Sequence, residues 1–326
     1  MSQIATLLML WTSAQAEPQN PSQLADANRP DPVAVIPEKD NVPEALVQLG
    51  SGQVLSSHAL VMDKANRTLS VWKQDGDRVT FVTAVPADFG RNGGNKSSEG
   101  DHKTPEGIYF FQEMKEGPTL NFEEYGVRAF TMDYPNYFDQ RDKKSGNGIW
   151  LHAIPDSKSL LRGSRGCVVV RNDVIKAISP YITVKRTPIL IQNAVKYVNL
   201  EVAAQLRRTW QTWLANWRDS WQNKNLDQYI SHYGSAFKAL GMNVAKWREY
   251  KKILNEKYEF IKVATIEPVV IVHGNELLIR FRQDYKSDKN ADSGEKTLYL
   301  RREGDSFKIL GEEWRPLPQA EVVANH

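Results

Sequence analysis

Apolar positions along this chain of 326 residues change their period twice, and the changes mark its organisation. From 17 to about 55 no period is sustained, and Pro18, Pro21, Pro30, Pro32, Pro37 and Pro43 stand among Asn, Asp and Gln. That texture predicts an arm or linker, with at most a short helix over 43–49. From His58 onward apolar residues alternate. Runs at 59–62, 68–73 and 79–85, parted by turn residues around Asn66 and Gly76, predict a β-meander. Further strands are expected at 107–112, 129–132, 148–152, 167–170 and 188–191. A helix at 174–178 is begun by Asn172 or Asp173 and stopped by Pro180. Residues 56–193 therefore read as a mostly-β domain with glycine-rich loops.

Past Tyr197 the spacing lengthens to three and four. Val202, Leu206, Trp210, Trp213, Leu214, Trp217 and Trp221 share one wide face of a helix over 200–223, and the tryptophans on it read as core. Helices at 226–233 and 244–255 follow, then alternating runs at 258–266, 269–272, 276–285, 295–302 and 306–314. Helices first and an antiparallel sheet afterwards predict a second domain over 198–318, an α+β cone.

Composition narrows the class. Charged residues at 25% and hydrophobic residues at 41% are ordinary for a soluble globular protein, and a net charge of +3 without a basic block gives no footing for nucleic acid. The apolar run at 4–11 is shorter than the roughly 20 residues a membrane span needs. It is followed by Ala14-Gln15-Ala16, which predicts a signal peptide over 1–16 and export to the periplasm. Cys167 is the single cysteine. It cannot form an internal disulfide, so in an oxidising compartment it is either packed away or kept for its reactivity.

Its neighbours favour reactivity. Ser164-Arg165-Gly166-Cys167 at the edge of a strand is poor core sequence, and His152 ends the expected strand fifteen residues earlier. Residues at the ends of neighbouring strands can face one another across a cleft, as a thiol and its base require. Imidazole takes a thiol proton at neutral pH and returns it to a leaving amine. The turn before the cysteine, Gly166 included, offers backbone N–H groups to an oxyanion. No H-x-x-E-H or C-x-x-C spacing is present, so neither a metal nor another cofactor is expected. His58, His232 and His273 have no partner pattern, and His102 reads as a solvated loop residue.

Taken with the run Gly100-Asp101-His102-Lys103-Thr104-Pro105-Glu106-Gly107-Ile108-Tyr109, the pairing of His152-Ala153 with Ser164-Arg165-Gly166-Cys167 resembles the YkuD-type L,D-transpeptidase catalytic domain over roughly 57–193. The resemblance implies Cys167 as nucleophile, His152 as general base, and the Ala153 carbonyl, where the family usually has Gly, as the group that orients the ring. Two positions depart from the family. Arg165 stands where His is usual before Gly-Cys, and Val169 stands where Arg is usual after it. A guanidinium beside the nucleophile suits a carboxylate. Arg165, with Ser164 beside it and Arg171 as the nearest other candidate, is therefore expected to bind the terminal carboxylate of a stem peptide. The competing reading of both arginines is a surface ion pair.

The second domain resembles the nuclear-transport-factor-2-like (NTF2-like) fold, on its helix-then-sheet order and the spacing of Trp210, Trp213 and Trp217. The two domains together resemble the cell-shape L,D-carboxypeptidases, which remove terminal D-alanine from the tetrapeptide stems of peptidoglycan. That activity is the expectation here. The alternatives are an L,D-transpeptidase that forms crosslinks or attaches proteins to peptidoglycan, and a non-catalytic wall-binding scaffold. Tyr285 and Trp314 are expected to line a pocket of the cone for glycan, stem peptide or a protein, and the Pro-rich arm leaves a homodimer open.

Overall fold

The computed structural model describes residues 30–161 and 163–317. The expected signal peptide and the arm up to residue 29 lie outside the described residues. Two short strands come first, β1 (Asn41–Pro43) and β2 (Leu46–Gln48). The first domain then lays down β3 (His58–Asp63), β4 (Thr68–Asp75), β5 (Arg78–Pro86), β6 (Gly107–Glu116), β7 (Arg128–Met132), β8 (Trp150–Ile154), β9 (Val168–Arg171) and β10 (Pro188–Gln192). Helices α1 (Phe122–Tyr125), α2 (Tyr137–Arg141) and α3 (Asn172–Ile178) sit in its connections. The strands form one sheet in the order β5-β4-β3-β10-β6-β7-β8-β9, with β3/β10 and β8/β9 parallel.

Alternation along these strands explains where the sheet goes. Side chains of successive strand residues point to opposite faces. Leu60, Met62, Tyr109, Phe111, Ile189 and Ile191 enter one apolar core, while Ala59, Val61, Ile108, Phe110 and Leu190 enter another on the far face. Both faces of the sheet are thus buried, and the second core needs a lid.

The second domain supplies it. β11 (Tyr197–Asn199) leads into α4 (Leu200–Gln222), whose first turn is capped by Asn199 Oδ1 accepting from Val202 N at 2.9 Å. α5 (Leu226–Ser231), the hairpin β12 (Lys238–Ala239) and β13 (Met242–Asn243), and α6 (Val244–Lys257) follow. The long strands are β14 (Ile261–His273), β15 (Glu276–Ser287), β16 (Ala291–Glu303) and β17 (Ser306–Pro316). The runs expected at 258–266 and 269–272 are one strand, interrupted by a bulge between Ile266 and Val269. One face of this sheet, Leu277, Ile279, Leu298, Leu300 and Ile309, packs on α4 and its fully buried Trp217. The other face, Val269, Ile271, Leu278, Tyr299 and Leu310, closes the shared core against the first domain. Tyr137 of α2 stacks on Tyr299 with centroids 4.2 Å apart and donates to the Leu310 carbonyl at 3.0 Å. The Arg280 guanidinium lies 3.5 Å from the centre of the Phe110 ring.

The arm departs from expectation. Residues 41–48 are two strands joined by a turn at Glu44-Ala45, rather than linker or short helix. β1 pairs with β11, and β2 pairs with β14 to complete the five-stranded sheet β17-β16-β15-β14-β2. The reason is again alternation: Leu46 enters the shared core and Val47 the core under α4, which two adjacent residues achieve on a strand but not on a helix. Just beyond, Glu267 accepts from the Val54 and Leu55 N–H groups, each at 3.1 Å, and from the Ser51 hydroxyl. No described helix is long and apolar enough to cross a membrane.

If the arm strand is structural, Leu46→Ala should cost about 2–5 kcal/mol, the usual range for emptying a packed leucine site. Because the core is shared, thermal unfolding followed by near-ultraviolet circular dichroism should shift as one transition for both domains. A shift confined to one of two separate transitions would contradict the shared core.

Candidate active site

The loop ahead of β9 carries Cys167, and β8 carries His152 in its interior rather than at its end. Parallel pairing of the two strands sets Leu151 opposite Val168 and His152 opposite Val169. Both side chains line one open cavity of about 690 Å³ between the glycine-rich loops and α1. His152 Nδ1 lies 2.6 Å from the Ala153 carbonyl. A carbonyl only accepts, so Nδ1 carries the proton and Nε2 keeps its lone pair. Tyr125 of α1 packs edge-on against the imidazole, with centroids 5.1 Å apart. Cys167 Sγ is 3.6 Å from the Gly148 carbonyl, a contact in which the thiol donates.

Burial sets the charge state of this pair. It pushes the Cys167 thiol up to about 11, against the Trp150 N–H and Arg165, which pull it down. It also pushes the His152 imidazole down to about 4, against the Ala153 carbonyl and Glu124, which raise it. A neutral thiol and a neutral imidazole therefore line the cavity at pH 7, so an attack by this sulfur would require its proton to move.

The turn before the cysteine is braced from three sides. Thr104 Oγ1, fully buried, accepts from Gly90 N and donates to the Gly166 carbonyl, both at 2.8 Å. Gly166 sits at φ +131, where a Cβ would come within 2.7 Å of the Lys103 carbonyl, so only glycine fits. Ser164 Oγ donates to the Cys167 carbonyl at 2.8 Å and accepts from Gly166 N at 3.2 Å. Two expectations change here. The Gly166 N–H is turned inward to the serine rather than held out for an oxyanion. The Ser164 hydroxyl shapes the loop rather than facing a ligand, since a tight turn satisfies its own polar groups first.

The arginines separate. Arg165 stands on the cavity wall, exposed, with Nη2 3.6 Å from Glu124 Oε2. Arg171 is not on that wall. Its Nε and Nη2 each donate to Asp31 at 2.6 Å, a two-pronged ion pair that occupies the guanidinium. The surface-pair reading holds for Arg171, because its strand position turns it toward the arm. His102 lines the cavity, contrary to its reading as a solvated loop histidine. Asp101 organises its own loop instead. Burial pushes its carboxyl up, but Lys96 and the N–H groups of Ser97, Lys103 and Ser98 outweigh that and hold it well below the carboxylate range. Tyr285 stacks on Trp221 at 5.6 Å, far along the chain from Trp314. Their partners on β16, Asp292 and Lys296, lie on one face of that strand, and the Trp314 ring lies over Gly294 between them. No group of His, Cys, Asp and Glu suited to a metal occurs among the described residues.

Sequence reasoning missed Glu124, Tyr125 and Asp31. Nothing in their local spacing marks them, since each reaches the site only through the tertiary fold. Thr104 was within reach, because it lies inside the Lys103-Thr104-Pro105 stretch of the upstream motif.

Comparison with known proteins bears on the two domains. The L,D-transpeptidase catalytic domain family, YkuD, matches residues 57–191, and the Cds6 C-terminal NTF2-like domain matches residues 209–313. The structure of Bdellovibrio bacteriovorus Bd1075 is 45% identical, superposes with a TM-score of 0.80, and covers 86% of this chain and 100% of its own. The helical cell shape determining protein Pgp2 from Campylobacter jejuni shares the fold at 23% identity and a TM-score of 0.63, over 90% of this chain and 99% of its own. No curated protein matches the sequence.

The charge state makes a measurable prediction. Alkylation of Cys167 by iodoacetamide in the intact protein should be slow at pH 7 and rise about tenfold per pH unit, since only the thiolate reacts, levelling off near 11. A plateau already reached at pH 7 would instead reveal a standing thiolate–imidazolium pair.

Proposed function

The chain belongs to the YkuD family of L,D-transpeptidase catalytic domains, joined here to an NTF2-like domain, and from that premise we propose that it is a periplasmic peptidoglycan L,D-carboxypeptidase. The observation that carries the reading is one cavity lined by both Cys167 and a His152 whose free nitrogen is fixed by the Ala153 carbonyl. His152 Nε2 takes the thiol proton as Sγ attacks the carbonyl carbon between the L-centre of diaminopimelate and terminal D-alanine. The C–N bond breaks, the imidazolium returns its proton to the departing amine, and a thioester remains on Cys167. Water attacks the thioester, giving its proton first to His152. Sulfur then leaves and takes that proton back, releasing a tripeptide stem. The low-dielectric walls that keep the pair neutral also strengthen each dipole aimed at the developing oxyanion.

Arg165 binds the carboxylate of the terminal D-alanine. Its partner in the structure is Glu124 at 3.6 Å, and both side chains are well exposed. Exposed ion pairs contribute about 0–1 kcal/mol, so a substrate carboxylate exchanges for Glu124 at little cost. The arginine favours trimming of stems over crosslinking, and a protein of like fold is described as determining helical cell shape. Fewer tetrapeptides then remain for crosslinking, and the wall curves where they are scarce.

The test is incubation of purified protein with disaccharide-tetrapeptide and with whole sacculi, followed by chromatography. Tripeptide and free D-alanine are expected, and Cys167→Ala should abolish both. New diaminopimelate–diaminopimelate bonds without tripeptide would replace this reading with transpeptidation, and no product from either substrate would leave a binding scaffold.

A second measurement isolates the carboxylate contact. Arg165→Gln should raise KM about tenfold or more, the size of a lost charge-assisted hydrogen bond, with kcat little changed. An unaltered KM would remove Arg165 from the substrate site.

A further inference from the structure

The wall of the cavity opposite the glycine-rich loops is the stretch 155–161 between β8 and the cysteine loop, and Lys158, Ser159, Leu160 and Leu161 face the cavity. It has no strand or helix to hold it. What grips it comes from outside. Asp31 Oδ1 accepts from Leu160 N at 3.2 Å, and Arg67 Nη2 donates to the Leu160 carbonyl. Arg171 Nη1 donates to the Lys158 carbonyl, while its other two nitrogens, Nε and Nη2, donate to Asp31. Leu160 itself is buried, with both its backbone groups taken.

Asp31 is the joint of this arrangement. One carboxylate binds the loop backbone and the last residue of β9, the strand that begins directly after Cys167. It belongs to the arm, well over a hundred residues away in sequence. Val33 and Ile36 beside it are 86% and 68% exposed, so apolar burial does little to hold this part of the arm. The attachment is polar: the Asp31 contacts, and Val35 N donating to Thr68 Oγ1 at 2.9 Å. The Arg171 guanidinium beside it holds the Asp31 carboxyl below the usual carboxylate range, so the clamp is charged throughout the neutral range.

We propose that Asp31 is a positioning residue for substrate: it fixes the 155–161 wall, through Leu160 and Arg171, at the distance from Cys167 at which a stem peptide is gripped. The inference rests on the carboxypeptidase reading for its ligand, and on geometry alone for the clamp. The residue touches no reacting atom. Its effect therefore falls on binding rather than on the bond-breaking step.

The experiment uses the full chain. Hydrogen–deuterium exchange is followed over 155–161, and disaccharide-tetrapeptide binding is measured by calorimetry on Cys167→Ala protein, with Asp31 intact and as Asp31→Asn. Asparagine keeps the volume and loses the charge. Exchange at Leu160 should become about tenfold faster and affinity should fall about three- to tenfold, as the loss of a charge-assisted contact implies. In otherwise native protein KM should rise by a like factor with kcat within about twofold. Arg171→Lys keeps the charge but cannot form the two-pronged contact, and should loosen the same stretch if Asp31→Asn fails to fold. Equal affinity with and without Asp31 would overturn the positioning role while leaving the carboxypeptidase reading intact. A loosened loop with undiminished affinity would overturn it equally. Absence of tetrapeptide binding with Asp31 present would instead sink both together.

Discussion

The structure depends on one apolar layer between two sheets. Each sheet alternates apolar residues to both faces, so neither can stand in water alone, and the face of one is the cover of the other. Ala59, Val61, Ile108, Phe110 and Leu190 on one side meet Val269, Ile271, Leu278, Tyr299 and Leu310 on the other. At about 25 cal/mol per Å² of apolar surface removed from water, a layer of this extent outweighs the scattered ion pairs around it. The Arg301–Asp142 contacts at 2.8 and 3.0 Å align the domains but do not hold them. The cavity sits at the edge of the first sheet farthest from β4 and β5, where β8 carries His152 and β9 leads out of Cys167.

Within that framework the chemistry is an exercise in withholding charge. The same burial that keeps the thiol protonated keeps the imidazole able to accept its proton, and the Ala153 carbonyl decides which nitrogen does so. A standing thiolate is open to oxidation and other side reactions. A thiol ionised only as the substrate arrives is not. Glu124 and Arg165 add opposite fields, one acting on the histidine and one on the cysteine, and their mutual pairing keeps the net charge of the mouth low.

Much of this was legible from residue order. Strands β3 to β10 and helix α4 follow from period alone, because burial on a face imposes a period that the chain displays. Cys167 and His152 stood out because Ser164-Arg165-Gly166-Cys167 is poor core sequence and, with His152-Ala153 and the upstream motif, resembles a known catalytic domain. What escaped notice has a common cause. Asp31 acts on residues more than a hundred positions away, and Glu124 and Tyr125 on residues dozens of positions away, separations that no local pattern encodes. β2 was misread because three residues are too few for alternation to register, and the surrounding prolines suggested a linker. Ser164 and Gly166 looked like ligand-facing groups because the motif shows only that a tight turn exists, not that the turn consumes its own donors.

The pairing of β2 with β14 joins residue 46 to residue 271. The carboxy-terminal sheet is therefore finished by the amino-terminal part of the polypeptide, like a clasp whose two halves are made at opposite ends of synthesis. A fragment beginning after the first domain would present β14 as a bare edge, ready to recruit strands from its neighbours. Substitutions that disrupt β2 would in turn register as defects in the distal domain, whose sheet that strand completes.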